Sequence, residues 1–221
     1  MPAVNIDLLS RGLSALGLDP GQDRLARLAR YIEEIELWNP AYGLVKASGD
    51  ELVVKHVLDS LAALPVLRGL GLPLGRVADL GSGAGLPGIP LAIFLPESAV
   101  TLVERMERRV RFLENQKARL GLSNVTISQA EAERAPGGPY DLVTFRAFRP
   151  FSERKLFLSV RKLVKAGGAI AAYKGRLQTA REELAALAPD PVLGPLAVRA
   201  EVLPLSVPFL DEERCLVILR A

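Results

Sequence analysis

A short apolar strand that runs directly into a glycine-rich turn and then into a helix is the feature that most constrains the fold. The turn reads Asp79-Leu80-Gly81-Ser82-Gly83-Ala84-Gly85-Leu86-Pro87-Gly88. Glycine tolerates positive φ and lets the backbone approach a ligand closely, and Pro87 suits the first turn of a helix. The segment therefore predicts a strand, a ligand platform and a helix in direct succession.

The stretch from Gly83 to Gly88 also satisfies the pattern G-x-G-x-x-G, which many dinucleotide-binding enzymes share. Alone, this pattern is compatible with a nucleotide-like cofactor or with a purely structural turn. Glu104 ends the next predicted strand, at the position where a carboxylate accepts both hydroxyl hydrogens of a ribose. Asp79 would repel the pyrophosphate of a dinucleotide but attract the sulfonium and amino groups of S-adenosylmethionine. The two carboxylates therefore favour S-adenosylmethionine as the cofactor.

From Gly75 onward, short apolar runs alternate with helical patterns, which is typical of βαβ units around a mostly parallel sheet. The predicted strands are 76–80, 99–103, 125–128, 140–145 and 168–173, and the predicted helices are 86–94, 107–120 and 153–164. Residues 198–204 and 214–219 predict a C-terminal antiparallel hairpin. The predicted fold class is therefore α/β, with a Rossmann-like sheet.

Residues 1–72 predict a helical extension that precedes an α/β domain of residues 73–221. Apolar residues of the first part recur at spacings of three and four and so share one helix face: Leu25, Leu28, Ile32 and Ile35. This helix is expected to begin after Asp19-Pro20. The segment from Trp38 to Gly43 predicts a turn, and a second amphipathic helix follows from about Gly49 through Leu64.

The chain has 221 residues, a net charge of +3 and a calculated isoelectric point of about 9.2. This basic balance is compatible with a polyanionic partner, although the cluster from Arg105 to Arg111 suits a solvated helix face equally well. No stretch approaches the roughly 18 apolar residues of a membrane span, and Met1 to Ser10 lacks a secretory pattern. We therefore expect a cytoplasmic protein without a membrane segment.

A single cysteine, Cys215, lies in an apolar run that predicts a buried strand, so we expect it to have a packing role. The chain also has a single histidine, far from this cysteine in the sequence. We accordingly predict no catalytic triad and no metal site.

Several strings together closely resemble one bacterial family. They are Asp79 to Ala92, His56-Val57-Leu58-Asp59-Ser60-Leu61, Phe145-Arg146-Ala147-Phe148 and Lys174-Gly175. The family is the glucose-inhibited-division-B family of small-subunit ribosomal RNA guanine-N7 methyltransferases, and the resemblance runs from Trp38-Asn39 to Lys174. It implies a class I S-adenosylmethionine-dependent methyltransferase fold and methylation of 16S rRNA. We expect the protein to act as a monomer. The RNA is expected to be free, in the small ribosomal subunit or in an assembly precursor.

The resemblance also implies which residues form the site. It implies cofactor contacts at Gly81, Leu86, Ala132, Glu133 and Arg146. The glycine-rich turn and the two carboxylates add the other expected cofactor-binding residues, which are Asp79, Ser82, Gly83, Gly85 and Glu104. The expected catalytic residues are His56, Arg146 and Lys174. For His56 a hydrogen-bonded structural role stays open, and for Lys174 a place in a surface loop. Arg146 favours function, because cations seldom occupy that edge of a sheet without a ligand or a carboxylate.

Two departures from the family pattern bear on substrate recognition. Gly43-Leu44-Val45 stands where the family usually has Asn-Leu-Thr, and Glu131 stands where an arginine usually precedes Glu133 by two positions. The second change removes a cation from the expected RNA or cofactor surface.

Guanine N7 carries an in-plane lone pair and no proton, so its attack on a methyl carbon requires no general base. We therefore expect catalysis by alignment of the reactants and exclusion of water. Two alternatives stay open: a nicotinamide-dependent oxidoreductase that uses the same turn, and a noncatalytic RNA-binding protein with an inactive pocket. Asp79 argues against the first.

Overall fold

A computed structural model describes residues 4–147 and 150–221 of the chain. Phe148, in one of the strings above, and the first three of the ten N-terminal residues lie outside the described residues. The described part contains a seven-stranded sheet in the order β3-β2-β1-β4-β5-β7-β6. The strands are β1 Arg76–Leu80, β2 Ala99–Glu104, β3 Val125–Gln129, β4 Tyr140–Arg146, β5 Val164–Lys174, β6 Glu201–Pro204 and β7 Cys215–Arg220.

The five strands from β1 to β5 run parallel to one another, whereas β7 pairs antiparallel with both β5 and β6. This confirms the predicted sheet and the C-terminal hairpin. β1 lies between β2 and β4, at the point where the strand order reverses. Ligands of open α/β sheets bind at the carboxyl ends of the strands at such a point.

The helices lie between and before these strands. They are α1 Ile6–Ala15, α2 Gly21–Tyr42, α3 Gly49–Leu52, α4 Asp59–Gly69, α5 Gly88–Phe94, α6 Glu107–Leu120, α7 Arg154–Lys162, α8 Leu177–Leu187 and α9 Gly194–Val198. A π-helical segment, Val53–Leu58, joins α3 to α4, and a 3₁₀ turn, Ala132–Arg134, follows β3. No helix in these described ranges is both long and apolar enough to cross a bilayer.

The predicted turn from Trp38 to Gly43 is wrong, because α2 continues through Pro40 to Tyr42. A proline lacks only its own N–H, so near the end of a helix it removes one hydrogen bond without breaking the remaining turn. The helix ends instead at Gly43, whose φ of 57° is left-handed and whose N–H donates to the Asn39 carbonyl. The Asn39 side chain then accepts from the next two backbone N–H groups, at 2.8 and 2.9 Å.

Two other predicted boundaries are also wrong. Val164 begins β5 instead of ending α7, and the register between β4 and β5 shifts after the pair formed by Tyr140 and Val164. Val198 ends α9, so the first strand of the hairpin begins later, at Glu201. In each case a short apolar run fits a helix end and a strand start equally well, and periodicity alone does not separate them.

Each face of the sheet carries its own hydrophobic cluster. One cluster joins α5 and α6 to the helices before β1, including the buried Leu28, Ile32 and Leu61. The other joins α7, α8 and α9 to the opposite face and contains Cys215, which is fully buried, with a thiol pKa raised to about 11 by burial. This confirms the buried strand predicted around Cys215. The N-terminal helices thus share a core with the sheet.

Candidate functional site

The glycine-rich loop is fixed to the carboxyl end of β2 by backbone hydrogen bonds. The N–H groups of Gly81 and Ser82 both donate to the carbonyl of Val103, at 2.8 and 3.0 Å. Gly81 and Gly83 have φ values of 68° and 59°, a region that side-chain-bearing residues rarely adopt. A Cβ on Gly83 would face open space, with the Gly81 carbonyl oxygen nearest at 3.8 Å. The loop therefore presents bare backbone to a ligand, as the sequence predicts.

Glu104 lies at the end of β2 and is almost fully buried. One of its carboxylate oxygens accepts from the N–H of Gly83 at 2.9 Å, and the other accepts from the N–H of Met106 at 2.9 Å. A carboxylate has about four lone-pair sites, so each oxygen keeps one acceptor site. These two free acceptor sites fit the paired hydroxyl groups of a ribose.

Two cavities open at this edge of the sheet. We name the smaller one, of about 270 Å³, the adenosine cavity after the cofactor that the sequence predicts. We name the larger one, of about 600 Å³, the reaction cavity, because the residues predicted to be catalytic line it. Gly81 and Arg109 line both, so the two cavities meet at the glycine-rich loop.

Ten of the twelve predicted site residues line these cavities. The adenosine cavity is lined by Gly81, Glu104, Ala132 and Glu133, and the reaction cavity by His56, Gly81, Ser82, Gly83, Leu86, Arg146 and Lys174. Two of the three residues at which the chain departs from the family pattern also line them, Val45 in the reaction cavity and Glu131 in the adenosine cavity, whereas Gly43 lines neither. Val45 and Glu131 therefore lie where a ligand would be recognised.

Asp79 and Gly85 do not line either cavity. The Asp79 carboxylate is fully buried beneath the loop, where Oδ2 accepts from the N–H of Gly88 at 3.0 Å. Burial raises the pKa of Asp79 to about 7, against the opposing effects of the Gly88 N–H and the Ser82 hydroxyl. A Cβ on Gly85 would lie 2.4 Å from Cδ1 of Ile89, so this glycine permits close packing of the loop on α5. Both residues therefore shape the loop from behind.

Arg146 lies at the end of β4 and is held by three acceptors from the π-helical segment and the first residue of α4. Its Nη1 donates to the carbonyl of Lys55 and to Oδ2 of Asp59, both at 3.0 Å, and its Nη2 lies 2.8 Å from Nδ1 of His56. Asp59 is nearly buried and also lies 3.4 Å from Nε of Arg214, an ion pair without a hydrogen bond. The N-terminal helices thus fix the orientation of this guanidinium.

His56 is neutral at physiological pH. Burial, and secondarily the charge of Arg146, lowers the pKa of this imidazole to about 4. Because Arg146 always carries donors only, Nδ1 of His56 is the acceptor in their contact. The geometry favours the structural role that the sequence left open for His56, as a neutral residue that orients Arg146.

Lys174 ends β5 and points its ammonium group at Glu183 of α8, with an Nζ to Oε2 distance of 2.6 Å. The same ammonium lies 4.4 Å from the centre of the Phe151 ring. Lys174 is therefore a strand-end residue with a carboxylate partner and does not belong to a surface loop.

Tyr31 and Arg109 are site residues that the sequence analysis missed. The hydroxyl of the fully buried Tyr31 donates to the Ala84 carbonyl at 2.7 Å, which ties α2 to the glycine-rich loop. No pattern in the sequence indicates this bond, since Tyr31 appears only as one more residue on an apolar face. Arg109 belongs to a basic cluster that suits a solvated helix face in the sequence, whereas the structure places it between the two cavities.

Comparison with known proteins also indicates a methyltransferase. The family model described as rRNA small subunit methyltransferase G (GidB) matches residues 24–193. The chain is 41% identical to the Ribosomal RNA small subunit methyltransferase G of Treponema pallidum (strain Nichols) over 197 residues, which covers 87% of this chain and 83% of that protein. It is 37% identical to the protein of the same name from Cronobacter sakazakii, with 98% of both chains covered.

Solved structures show a similar fold at low sequence identity. Magnesium protoporphyrin IX methyltransferase from Synechocystis PCC 6803, solved with bound SAM, superposes with a TM-score of 0.56 and 20% identity, covering 90% of this chain and 97% of that chain. The O-methyltransferase TomG from Streptomyces achromogenes, solved in complex with SAM, gives a TM-score of 0.54 and 16% identity, covering 88% and 90%. The fold is thus that of class I S-adenosylmethionine-dependent methyltransferases.

Proposed function

Because this chain belongs to the family of rRNA small subunit methyltransferase G, we propose that it transfers the methyl group of S-adenosylmethionine to N7 of a guanosine in 16S rRNA. The observation that carries the proposal is the pair of cavities that meet at the glycine-rich loop. One has the buried carboxylate that a nucleoside requires, and the other is large and lined by cations. A nucleoside with a reactive tail fits the first, and a base of a polyanion fits the second.

The adenosine cavity is suited to the nucleoside part of the cofactor. The two free acceptor sites of Glu104 would bind the ribose hydroxyls, while Ala132 and Glu133 would border the adenine. The bare backbone of Gly81, Ser82 and Gly83 would then pass beneath the sulfur. Asp79 and Gly85 would support this loop from behind, which amends their predicted role as direct contacts.

S-adenosylmethionine supplies an electrophilic methyl carbon, and guanine N7 supplies its own lone pair, so no side chain has to remove a proton. The chain must align the two and exclude water, which is catalysis by positioning. His56, Arg146 and Lys174 lie around the reaction cavity, where the target base would enter. With its pKa lowered to about 4, His56 is a weak base, which agrees with a reaction that needs no general base.

Arg146 is the best candidate for direct contact with the RNA. Three acceptors on the neighbouring helical segment hold its guanidinium at the end of β4, and its side chain remains 15% exposed. A guanidinium fixed in this way offers its remaining donors to phosphate or base oxygens at little further cost in conformational entropy. Lys174 would add positive charge from the neighbouring strand.

Family membership decides between the hypotheses that the sequence leaves open. A nicotinamide-dependent oxidoreductase and a noncatalytic RNA-binding protein both lose their support, because curated relatives at 36–41% identity are named methyltransferases.

The division into residues 1–72 and 73–221 is part of the proposal. The helical extension would serve the site, because it contributes Lys55, His56 and Asp59 to the wall of the reaction cavity. A monomeric protein is also part of the proposal. Ribosomal RNA as substrate, in the small subunit or its precursor, supports a cytoplasmic location.

The test is a map of N7-methylguanosines in the small-subunit RNA of cells that carry the gene, lack it, or express Gly81→Asp in its place. We expect one modification to disappear without the gene and to return with the wild type but not with the variant, because the new carboxylate would occupy the junction of the cavities. Gly17→Asp is the matched control: Gly17 has the same φ of 68° as Gly81, and nothing lies within 4 Å of its added Cβ.

Binding is measured in parallel with the purified proteins. S-adenosylhomocysteine should raise the melting temperature of the wild type and of Gly17→Asp, since a ligand that binds only the native state stabilises it, whereas NAD should not. Unchanged methylation by Gly81→Asp would refute the assigned pocket. An unchanged RNA map in cells without the gene would refute the function.

A further inference from the structure

Arg109 lies in the first turn of α6, within a cluster of basic residues that resembles a solvated helix face. Its neighbour Arg111 has that environment, because its side chain is 72% exposed and paired with Glu107. Arg109 does not: its side chain is 29% exposed and lines both cavities at the point where they meet. A ligand that extends from one cavity into the other must pass this guanidinium.

The guanidinium of Arg109 is poorly satisfied within the described part of the chain. Its Nε is buried and has no hydrogen-bond partner there. The nearest carboxylate is that of Glu104, at 3.8 Å from Nη1, and the two oxygens of Glu104 already accept from backbone N–H groups. A buried donor without a partner costs free energy, so such a group usually marks a missing acceptor.

The other cations around the reaction cavity are each paired more closely with a carboxylate. The nitrogen-to-oxygen distances are 3.0 Å for Arg146 with Asp59, 2.6 Å for Lys174 with Glu183, 2.7 Å for Lys55 with Glu51 and 2.9 Å for Arg214 with Glu212. An anion that entered the cavity would compete with these partners everywhere except at Arg109.

We infer that Arg109 binds the carboxylate of the methionine part of S-adenosylmethionine. This inference rests on the proposed function. The carboxylate is the one anionic group of that molecule, and with the ribose on Glu104 the amino-acid tail must leave the adenosine cavity past Gly81 and Arg109. A guanidinium binds a carboxylate through two parallel hydrogen bonds, and Nε with one Nη group forms such a pair.

The test compares three ligands that differ only in the tail. S-adenosylhomocysteine carries the carboxylate and the amino group, its decarboxylated form keeps the amino group alone, and 5′-methylthioadenosine lacks both. Their dissociation constants are measured by titration calorimetry for the wild type, Arg109→Gln and Arg109→Lys. Arg111→Gln is the matched control, since it removes the same charge from the exposed side of the same helix.

We expect Arg109→Gln to weaken S-adenosylhomocysteine by about tenfold or more, as for the loss of a charge-assisted hydrogen bond in a partly buried site. The other two ligands should bind within about twofold of the wild type, because they do not reach Arg109 with an anion. Arg109→Lys should retain part of the preference for the carboxylate, and Arg111→Gln should retain all of it.

Two results would overturn the inference while leaving the proposed function intact. One is an equal loss of affinity for all three ligands, which would show that Arg109 supports the cavity instead of binding the carboxylate. The other is unchanged cofactor affinity with weaker binding of an rRNA fragment, which would make RNA phosphate its ligand. Failure of the wild type to bind S-adenosylhomocysteine at all would instead refute the proposed function.

Discussion

Replacing Asp79 with asparagine removes a buried ionisable group and leaves the hydrogen bond to the loop in place. Asp79 is fully buried, with Oδ2 accepting from the N–H of Gly88 at 3.0 Å and Oδ1 buried without a partner among the described residues. The amide oxygen of asparagine can accept the same N–H, and its NH₂ group takes the place of the unpartnered oxygen. The main effect of the substitution is therefore that this position no longer ionises.

The size of the effect follows from the pKa of Asp79, which burial raises from 3.8 to about 7. The native state then binds this proton more tightly than the unfolded state, so the free energy of unfolding decreases as the pH rises from about 4 to about 7. A difference of about three pKa units corresponds to about 4 kcal/mol. Above pH 7 the free energy of unfolding is reduced by this full amount, and below pH 4 it is not reduced.

The assay is urea denaturation of the cofactor-free wild type and Asp79→Asn at several pH values between 5 and 8.5. We expect the variant to gain stability over the wild type by about 1.4 kcal/mol per pH unit up to pH 7, and by a constant amount above it. Because all other groups titrate in both proteins, the difference isolates Asp79. A difference that does not depend on pH would refute the reasoning, since Asp79 would then keep the same protonation state throughout.

Two further predictions concern the polar groups of the site. Glu104→Gln leaves one acceptor oxygen for the N–H groups of Gly83 and Met106, so we expect a loss of about 1–3 kcal/mol in the unfolding free energy and weaker S-adenosylhomocysteine binding; wild-type values in both urea denaturation and calorimetry would contradict this. His56→Leu removes the acceptor for Arg146, so the methyl-transfer rate should fall while cofactor affinity stays unchanged. Since the pKa of His56 is about 4, the wild-type rate should show no histidine inflection between pH 6 and 8, and such an inflection would contradict the neutral assignment.

The sheet and the glycine-rich loop could be predicted because each depends on a local pattern. β1 begins and ends at the predicted residues, and α6 also has the predicted bounds. Parallel strands bring their carboxyl ends to one edge, so the order of the predicted strands is enough to place Glu104 and Arg146 near the loop. The wrong boundaries lie at Pro40, Val164 and Val198. Pro40 fits both a turn and a helix end, and the two valines fit both a helix end and a strand.

The direction of individual side chains could not be predicted in the same way. Asp79 stands next to the loop in sequence, which suggested contact with the cofactor, but its carboxylate points below the loop to Gly88. The orientation of Arg146 depends on a π-helical segment some 90 residues earlier in the chain. Long-range packing decides both, and a local pattern carries no information about it.

The position of Arg109, in contrast, can be predicted from the sequence. The prediction requires that each basic residue of the cluster is assigned to its own helix face instead of treating the cluster as one unit. The buried face of α6 contains Phe112, Leu113, Gln116 and Leu120. Arg109 precedes the first three by three, four and seven positions, which puts it on that same face, whereas Arg108 and Arg111 fall outside it. The helical part of the cluster, residues 107–111, spans more than one turn and therefore samples every face of the helix. Helical phase, applied residue by residue, separates Arg109, which points toward the cavities, from Arg108 and Arg111, which do not.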